Sequence, residues 1–511
     1  VFNDEPPARP VNMDNPGYGV TGTIDEKGTL LLFGAGWYPH VDADRAVYRI
    51  RVEAPAGISA VTAGRSLGHK TREGKTISTW LIDHPVRGLS LSAGAYRIRK
   101  KLIGDVVAAT YFFKSNAHLA EQYLNATARY IEMYEELFGP YPFAKFAVVE
   151  NFFPTGYGFP SYTLLGSRVL RLPFIIHTSL GHEIAHCWWG NGVYVDYHQG
   201  NWSEGLTAYV ADYFYKEQTS RQEAKDYRRQ WLRNYASLVT PSSDFPLDRF
   251  QSRVDPASKT IGYDRGALVF HMLRQRLGEE KFWGALQDIY RQYRFKTASW
   301  DDLRKVFQHR AGRDLKPFFE QWIRRSGAPL LKFEGVRIVR TGVNWKIVGF
   351  IAQQPPYFKF QARLQLKTAG GQQISKDIRV FGEKTRFDIV SHDEPDRLTF
   401  DPEYDVFRKL HRTEIPPSIN DLKGSDSAKV IIVDGTGNGL NQAAETLVLS
   451  LGLNNAPIVR ESEIDPESVK DSDLVFVGWP RRFGDLIPDT AKCSLSGNAF
   501  NVDGKSFSGP A

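Results

Sequence analysis

The chain has 511 residues, of which 42% are hydrophobic and 24% charged, a composition typical of a globular protein with room for three or four domains. No apolar run approaches the ~18 residues that a membrane-spanning helix requires, and two cysteines, Cys187 and Cys493, cannot form a disulfide framework. The formal net charge is +7, but acidic residues are interleaved with the basic ones, so we interpret the basic clusters as solvated faces and expect no nucleic-acid partner.

Residues 1–115 are predicted to form an N-terminal β domain. Alternating stretches at 46–52 and 96–101 are separated by Gly and Pro, as in a series of short strands. The pattern changes near Ser115, because residues 118–137 have the apolar spacing of a helix, which the segment FGPYPF then ends.

The second half of the chain is predicted to add two further domains. After a mainly helical region at 116–328, residues 329–411 return to β alternation and predict a β-sandwich-like domain. A linker rich in Pro, Ser and Gly follows. Residues 421–511 predict a small α/β domain, which we expect to be truncated, with an apolar strand leading through GTGNG into a helix and a second strand. That turn has no following Lys, so we interpret it as a tight turn rather than a phosphate site. The predicted fold class is multidomain α+β.

The segment SLGHEIAHCWWGN contains H-E-x-x-H at His182, Glu183 and His186. On a helix the two histidines lie one turn apart, so their imidazoles can reach one zinc ion at about 2.0–2.1 Å. Glu183 projects where it can take a proton from a water bound to that ion as the water attacks a carbonyl. Taken alone, the motif also fits two histidines on a helix surface. Cys187 points into the apolar stripe and is interpreted as a buried small residue.

Glu204 lies 18 positions after His186, near the start of the next predicted helix. Its spacing from Asn201 also fits a capping box, which is the alternative interpretation. Two histidines and one glutamate with an open fourth position are typical of a catalytic zinc site, so we predict one zinc ion per chain held by His182, His186 and Glu204. An oxyanion needs a donor opposite the metal; Tyr263 opens a later predicted helix, although its spacing equally fits core packing.

Four segments together resemble the membrane alanyl aminopeptidase family of gluzincin zinc metallopeptidases, which includes the leukotriene hydrolases: HEIAHCWWGN, WSEG, GYDRG and FGPYPFAKF. The similar family segments read H-E-x-x-H-x-W-x-G-N, N-E-G, Y-E-K-G and F-G-x-Y-P. The resemblance implies a thermolysin-like catalytic domain in residues 116–328, with Glu183 as general base and Tyr263 as hydrogen-bond donor to the transition state. It also implies peptide substrates, usually cut one residue from the N-terminus.

Two features depart from the family. The family has 18 residues between its second His and the Glu, whereas this sequence has 17, so one residue is missing from the surface loop 193–200. The family also binds the substrate's α-amine with the Glu of a G-x-M-E-N motif upstream of the zinc helix. One alignment matches AVVEN and makes Glu150 the amine anchor; the other matches TGYGFPSY and leaves no carboxylate. We prefer the second, in which Glu150 is structural.

The predicted function is therefore zinc-dependent hydrolysis of peptide bonds, aminopeptidase-like by resemblance. The unmatched amine anchor keeps two alternatives open: an endo- or oligopeptidase with the same zinc site, and a non-catalytic scaffold that keeps a degenerate peptidase fold. The sequence predicts a peptide substrate but neither its side-chain preference nor an oligomeric state. The chain begins at Val1 rather than Met, so either a segment has been removed or the sequence is a fragment. We expect an exported or cell-envelope protein with the targeting segment absent.

Overall fold

The computed structural model describes residues 20–39, 45–153, 156–411, 414–415, 419–423, 425, 427–434, 439–451, 453, 456–469, 472–478, 480–483, 493–496, 499–502 and 505–508. The chain divides into two compact units, Val1–Ile415 (unit 1) and Pro416–Ala511 (unit 2). Both units combine sheets and helices, so the predicted multidomain α+β class is confirmed.

The first part of unit 1 consists of two antiparallel sheets that share one apolar core. Its strands are β1 (Gly22–Asp25), β2 (Gly28–Leu31), β3 (Ala46–Pro55), β4 (Ser59–Thr62), β5 (Arg65–Arg72), β6 (Lys75–Val86), β7 (Leu91–Gly94), β8 (Arg97–Ile103) and β9 (Val106–Phe112). One sheet has the order β1-β2-β7-β4 and the other β3-β6-β5, while β8 and β9 belong to a third sheet described next. Along β6 buried and more exposed residues alternate, which places Trp80 and Ile82 in the core with Val61 of β4.

A five-stranded sheet joins these strands to the helical part of unit 1. The next elements are α1 (Ala120–Phe138), β10 (Lys145–Asn151), β11 (Gly156–Phe159) and β12 (Tyr162–Gly166). The sheet order is β11-β12-β10-β9-β8, with β10 parallel to both neighbours and β11 an antiparallel edge strand. Phe146 and Val148 of β10 face the core that contains α1, whereas Ala147 and Val149 face the N-terminal core. The predicted boundary after residue 115 therefore falls inside one sheet, because β8 and β9 pair within the same layer as β10.

The helical part of unit 1 continues with α2 (Ser179–Ala185), β13 (Tyr194–Val195), α3 (Ser203–Thr207), α4 (Phe214–Thr219), α5 (Arg221–Leu238), α6 (Pro256–Lys259), α7 (Gly266–Leu277), α8 (Glu279–Tyr293), β14 (Thr297–Ala298), α9 (Trp300–Ala311) and α10 (Lys316–Trp322). The segment Ala208–Tyr213 is π-helical and joins α3 to α4; Thr260–Arg265 is π-helical and joins α6 to α7. Helices α3 and α7 cross at two glycines, since a Cβ on Gly205 would lie 2.8 Å from the Cα of Gly266. This close approach brings the start of α3 against the second π-helical segment.

Two antiparallel sheets complete unit 1, where the sequence predicts a β-sandwich-like domain. Their strands are β15 (Leu331–Thr341), β16 (Asn344–Gln353), β17 (Phe360–Thr368), β18 (Gln373–Val380), β19 (Lys384–Ser391) and β20 (Pro395–Phe400). The orders are β15-β16-β19 and β18-β17-β20. Ile347 and Ile351 of one sheet and Leu364 and Leu366 of the other belong to the same core as the helices of unit 1.

Unit 2 contains a small parallel sheet covered by a helix. Its elements are α11 (Ile419–Lys423), β21 (Lys429–Ile432), α12 (Gly439–Leu451), β22 (Ile458–Arg460), β23 (Leu474–Val477), β24 (Cys493–Ser496), β25 (Ala499–Val502) and β26 (Lys505–Ser508). The parallel order is β22-β21-β23, and Ala444 and Val448 of α12 pack on Val430 of β21. Most of the predicted GTGNG turn, residues 435–438, lies outside the described residues. Across the described parts of both units, no helix is long and apolar enough to cross a membrane.

Candidate metal centre

Three predicted ligands meet at one point beside α2. This helix carries His182 and His186 one turn apart, and α3 brings Glu204 against them. The two imidazole Nε2 atoms are 3.1 Å apart, and Glu204 Oε2 lies 3.2 Å from His186 Nε2 and 3.6 Å from His182 Nε2. Tetrahedral ligands about 2.0–2.1 Å from a zinc ion lie ~3.4 Å from one another, so these three atoms fit that ion and leave a fourth position open.

Each histidine makes a hydrogen bond through Nδ1, the ring nitrogen that does not face the metal position. Nδ1 of His182 lies 3.1 Å from Asp212 Oδ2, and Nδ1 of His186 donates to the backbone oxygen of Trp189 at 2.9 Å. A proton on each Nδ1 leaves each Nε2 lone pair directed at the metal position, which is the usual outer partnership of zinc-bound histidines. The sequence prediction did not include Asp212, because a regular helix would not bring it to this face.

The electrostatics of the centre suit a divalent cation. Burial alone would lower the pKa of His182, but the carboxylates of Asp212 and Glu204 raise that pKa well above its ordinary value. Burial acts to raise the pKa of Glu204, yet the two histidines hold it well below its usual range. A half-buried cluster with this much negative charge attracts a metal dication.

The capping alternative for Glu204 is not what the structure contains. Helix α3 begins at Ser203, and its N-cap Trp202 makes no side-chain cap. Asn201 instead accepts hydrogen bonds from the Ser203 backbone nitrogen at 3.1 Å and from its hydroxyl at 2.7 Å. The Glu204 carboxylate is thereby left to face the histidines.

Glu183 faces the edge strand β11 across the centre. A Cβ built on Gly158 would lie 2.3 Å from Glu183 Oε2, so a side chain at this position would displace the carboxylate. Tyr157 and Phe159 lie on the other face of the strand, where their rings stack with centroids 5.9 Å apart and pack against the N-terminal core. The face of β11 toward Glu183 therefore carries no carboxylate.

Glu150 lies away from this face of β11, in the core. It is fully buried on β10, and its carboxylate accepts hydrogen bonds from the Phe113 backbone nitrogen at 2.7 Å and from Asn116 Nδ2 at 2.6 Å. These contacts make Glu150 a structural residue and agree with the alignment that places TGYGFPSY, not AVVEN, beside the zinc helix.

Tyr263 lies on the second π-helical segment, seven residues after the start of α6, so its helix begins earlier than the sequence predicts. Its ring is nearly parallel to that of His182, with centroids 6.3 Å apart. Burial raises the pKa of Tyr263 well above its ordinary value, and the Glu204 carboxylate adds to the rise, so the phenol keeps its proton.

Cys187 is completely buried, and its Sγ accepts a hydrogen bond from the Tyr141 hydroxyl at 3.3 Å. This environment agrees with the prediction that Cys187 is a core residue.

Residues 174–322 match the Peptidase family M1 domain. The chain therefore contains a peptidase family M1 domain. Among curated relatives, Aminopeptidase M1-D of Oryza sativa subsp. japonica is 26% identical over 228 residues, or 41% of this chain and 26% of that protein. Human Aminopeptidase RNPEPL1 is 23% identical over 325 residues, or 56% of this chain and 42% of that protein. The chain thus spans less than half the length of these relatives.

Solved structures share the fold. An M1 zinc metallopeptidase from Deinococcus radiodurans aligns with a TM-score of 0.50 and 21% identity, covering 58% of this chain and 70% of that one. Legionella pneumophila aminopeptidase A, solved with aspartic acid, aligns with a TM-score of 0.60 and 16% identity, covering 78% of this chain and 49% of that one. The match of residues 174–322 to the M1 domain confirms the family resemblance predicted from four short motifs.

Proposed function

We propose that this M1 protein hydrolyses peptide bonds at one zinc ion held by His182, His186 and Glu204. The observation that carries the proposal is the convergence of their ligating atoms, which all lie within 4.8 Å of one another. Zinc at this position supplies a Lewis acid that polarises a carbonyl and lowers the pKa of a bound water to about 7.

The neighbouring side chains supply the remaining chemistry. Glu183 is placed to accept the proton of the attacking water and to pass it to the leaving amine. Tyr263, protonated and beside His182, is placed to donate a hydrogen bond to the oxyanion that develops on the attacked carbonyl. Asp212 and the Trp189 carbonyl hold the two imidazoles in the tautomer that the metal needs.

The relatives support aminopeptidase-like action. Endo- or oligopeptidase action is a second candidate, which one specific observation favours. An aminopeptidase needs an anionic group for the substrate's ammonium, yet Glu150 is committed to the core and the face of β11 toward Glu183 carries only Gly156 and Gly158. Because β11 is an edge strand in this sheet, a substrate backbone can pair along it without its N-terminus being recognised.

Metal analysis and chelator-sensitive cleavage of a peptide panel test the zinc-hydrolase proposal. Glu183→Gln should retain zinc but lose about 10²- to 10⁴-fold in kcat, the usual contribution of a general base. Glu132→Gln, an exposed change on α1, serves as control. Protein isolated without zinc, or an unimpaired Glu183→Gln variant, would instead support the scaffold alternative.

N-acetylation of a cleaved peptide separates the two peptidase modes. The second candidate predicts that the acetylated peptide is cut at a rate close to that of the free peptide, since no carboxylate on β11 receives the ammonium. Loss of cleavage on acetylation would assign aminopeptidase action and would require another amine-binding group.

A further inference from the structure

A second concave site lies in unit 1 where β6, the loop after α1 and the connection between α8 and β14 meet. The cavity has a volume of about 380 Å³, and Asp83, His84, Phe143, Arg294 and Phe295 are among its lining residues. This volume is within the range of small-ligand pockets. None of the zinc-centre residues lines it, and the proposed hydrolysis does not use it.

The buried imidazole of His84 has an unsatisfied nitrogen. His84 is only 5% exposed. Its ring stacks on that of Phe295 with centroids 4.9 Å apart and packs at a tilt against Phe143 with centroids 4.6 Å apart. Its Nδ1 lies 3.4 Å from Asp83 Oδ1, while Nε2 has no hydrogen-bond partner among the described residues. Burial lowers the pKa of His84, so the ring is neutral near pH 7. With the proton on Nδ1, Nε2 is a buried acceptor, which is costly unless a donor reaches it.

Opposite charges line the same cavity without pairing with each other. Arg294 donates to the Pro142 carbonyl at 3.1 Å and has no carboxylate within ion-pair distance in the described part of the chain. Besides its contact with His84, Asp83 pairs with Arg65 at 3.4 Å, and this solvent-exposed pair leaves most of its acceptor capacity open. A zwitterion with an apolar body would satisfy both charges and cover the aromatic walls.

We propose that this cavity binds a free α-amino acid with an aliphatic or aromatic side chain. Its ammonium faces Asp83 and Nε2 of His84, its carboxylate faces Arg294, and its side chain packs on Phe143 and Phe295. The cavity therefore offers a cationic donor for the carboxylate, an anion for the ammonium and an apolar surface for the side chain, at fixed relative positions. This combination favours an amino acid over a simple carboxylate or a simple amine.

Equilibrium dialysis of the full zinc-loaded chain with radiolabelled L-phenylalanine tests this site, with the zinc centre saturated by a peptide hydroxamate. We expect one phenylalanine per chain. Arg294→Gln should weaken binding about ten- to a hundredfold, as expected for loss of a charge-assisted contact. Arg291→Gln, on the last turn of α8 and with a largely exposed side chain, should leave binding unchanged. Binding that the hydroxamate abolishes, or that Arg294→Gln leaves intact, would overturn the proposal.

His84→Phe tests the donor side of the site, because a phenyl ring preserves the stacking and removes the acceptor. It should weaken phenylalanine binding but leave binding of 3-phenylpropionate, which lacks the ammonium, at the wild-type level. Circular dichroism and zinc content show whether the variant is folded. Equal wild-type affinities for phenylalanine and 3-phenylpropionate would contradict recognition of the ammonium, and absence of any phenylalanine binding would overturn the site.

Discussion

At the scale of single residues, we expect Asp212 to govern how firmly the proposed zinc ion is held. Its carboxylate fixes the ring of His182 from behind, 3.1 Å from Nδ1. Asp212→Asn keeps the size and removes the charge, so we expect zinc affinity to fall about 10- to 100-fold. Competition with a chromogenic chelator measures the change, and Asp226→Asn on the exposed face of α5 is the matched control. Unchanged zinc affinity would assign Asp212 a packing role only.

Gly158 sets the position of the Glu183 carboxylate. In Gly158→Ala the new methyl group would lie 2.3 Å from Oε2, so the flexible carboxylate must move away. We expect kcat to fall by about 10²-fold, the scale of a 1 Å misplacement, with zinc content and thermal stability retained. Gly156→Ala on the same strand meets nothing closer than 3.8 Å and should behave as wild type. Equal kcat values for the two variants would rule out this role.

The sequence predicts those candidate site residues whose spacing is local. Five consecutive helical positions fix the relative geometry of His182, Glu183 and His186, so the motif alone identifies them. Glu204 is predicted because it completes the usual set of three zinc ligands. Gly158 could not be found in this way, because its approach to Glu183 depends on the pairing of β11 with β12. Its only sequence signal is the alignment of TGYGFPSY with the family's amine-binding motif.

At the scale of elements, the π-helical segment Ala208–Tyr213 explains why Asp212 was missed. Asp212 follows Glu204 by eight positions, which at about 100° per residue would turn it some 80° away from Glu204. A π-helical turn takes up one additional residue, so both carboxylates face α2. Tyr263 also lies on a π-helical segment, and irregular turns of this kind are frequent at functional sites.

The helix that carries Tyr263 is fixed at its start by a capping box. Asp255 accepts a hydrogen bond from the Ser258 backbone nitrogen at 2.7 Å, and the Ser258 hydroxyl accepts one from the Asp255 nitrogen at 3.0 Å. Asp255→Ala should lower the free energy of unfolding by about 1 kcal/mol, as for other N-cap losses.

Denaturant titration followed by far-UV circular dichroism measures this change. Ser252→Ala, three residues earlier and exposed, should change the free energy of unfolding by less than about 0.5 kcal/mol. If the two variants are equally stable, the capping box does not limit the stability of this helix.

At the scale of the whole molecule, every residue assigned to the zinc centre belongs to unit 1. A chain that ends at Ile415 should therefore bind zinc with the affinity of the full chain. Free zinc at 1,000 times its dissociation constant should stabilise unit 1 by about 4 kcal/mol, because it binds only the folded state. Calorimetry of both chains with and without zinc measures this; a truncated chain that folds but does not retain zinc would contradict the assignment.

The domain boundaries are more difficult to predict from the sequence than the types of the secondary-structure elements. Alternation correctly indicated strands near residues 46–52 and 96–101, and apolar spacing indicated α1. The sequence could not show that β10 is buried on both faces and so belongs to two cores, because a continuous apolar run carries no period. A domain limit drawn where the periodicity changes therefore separates strands that hydrogen-bond in one sheet.

The crossing of α3 and α7 has a genetic consequence. Gly205 and Gly266 touch backbone to backbone, so a side chain at either position would push apart the helices that carry Glu204 and Tyr263. In a saturation-mutagenesis library selected for peptidase activity, these two codons should be depleted of substitutions as completely as those of the proposed zinc ligands. At both positions selection would act on the absence of a side chain, because that absence sets the distance between two helices.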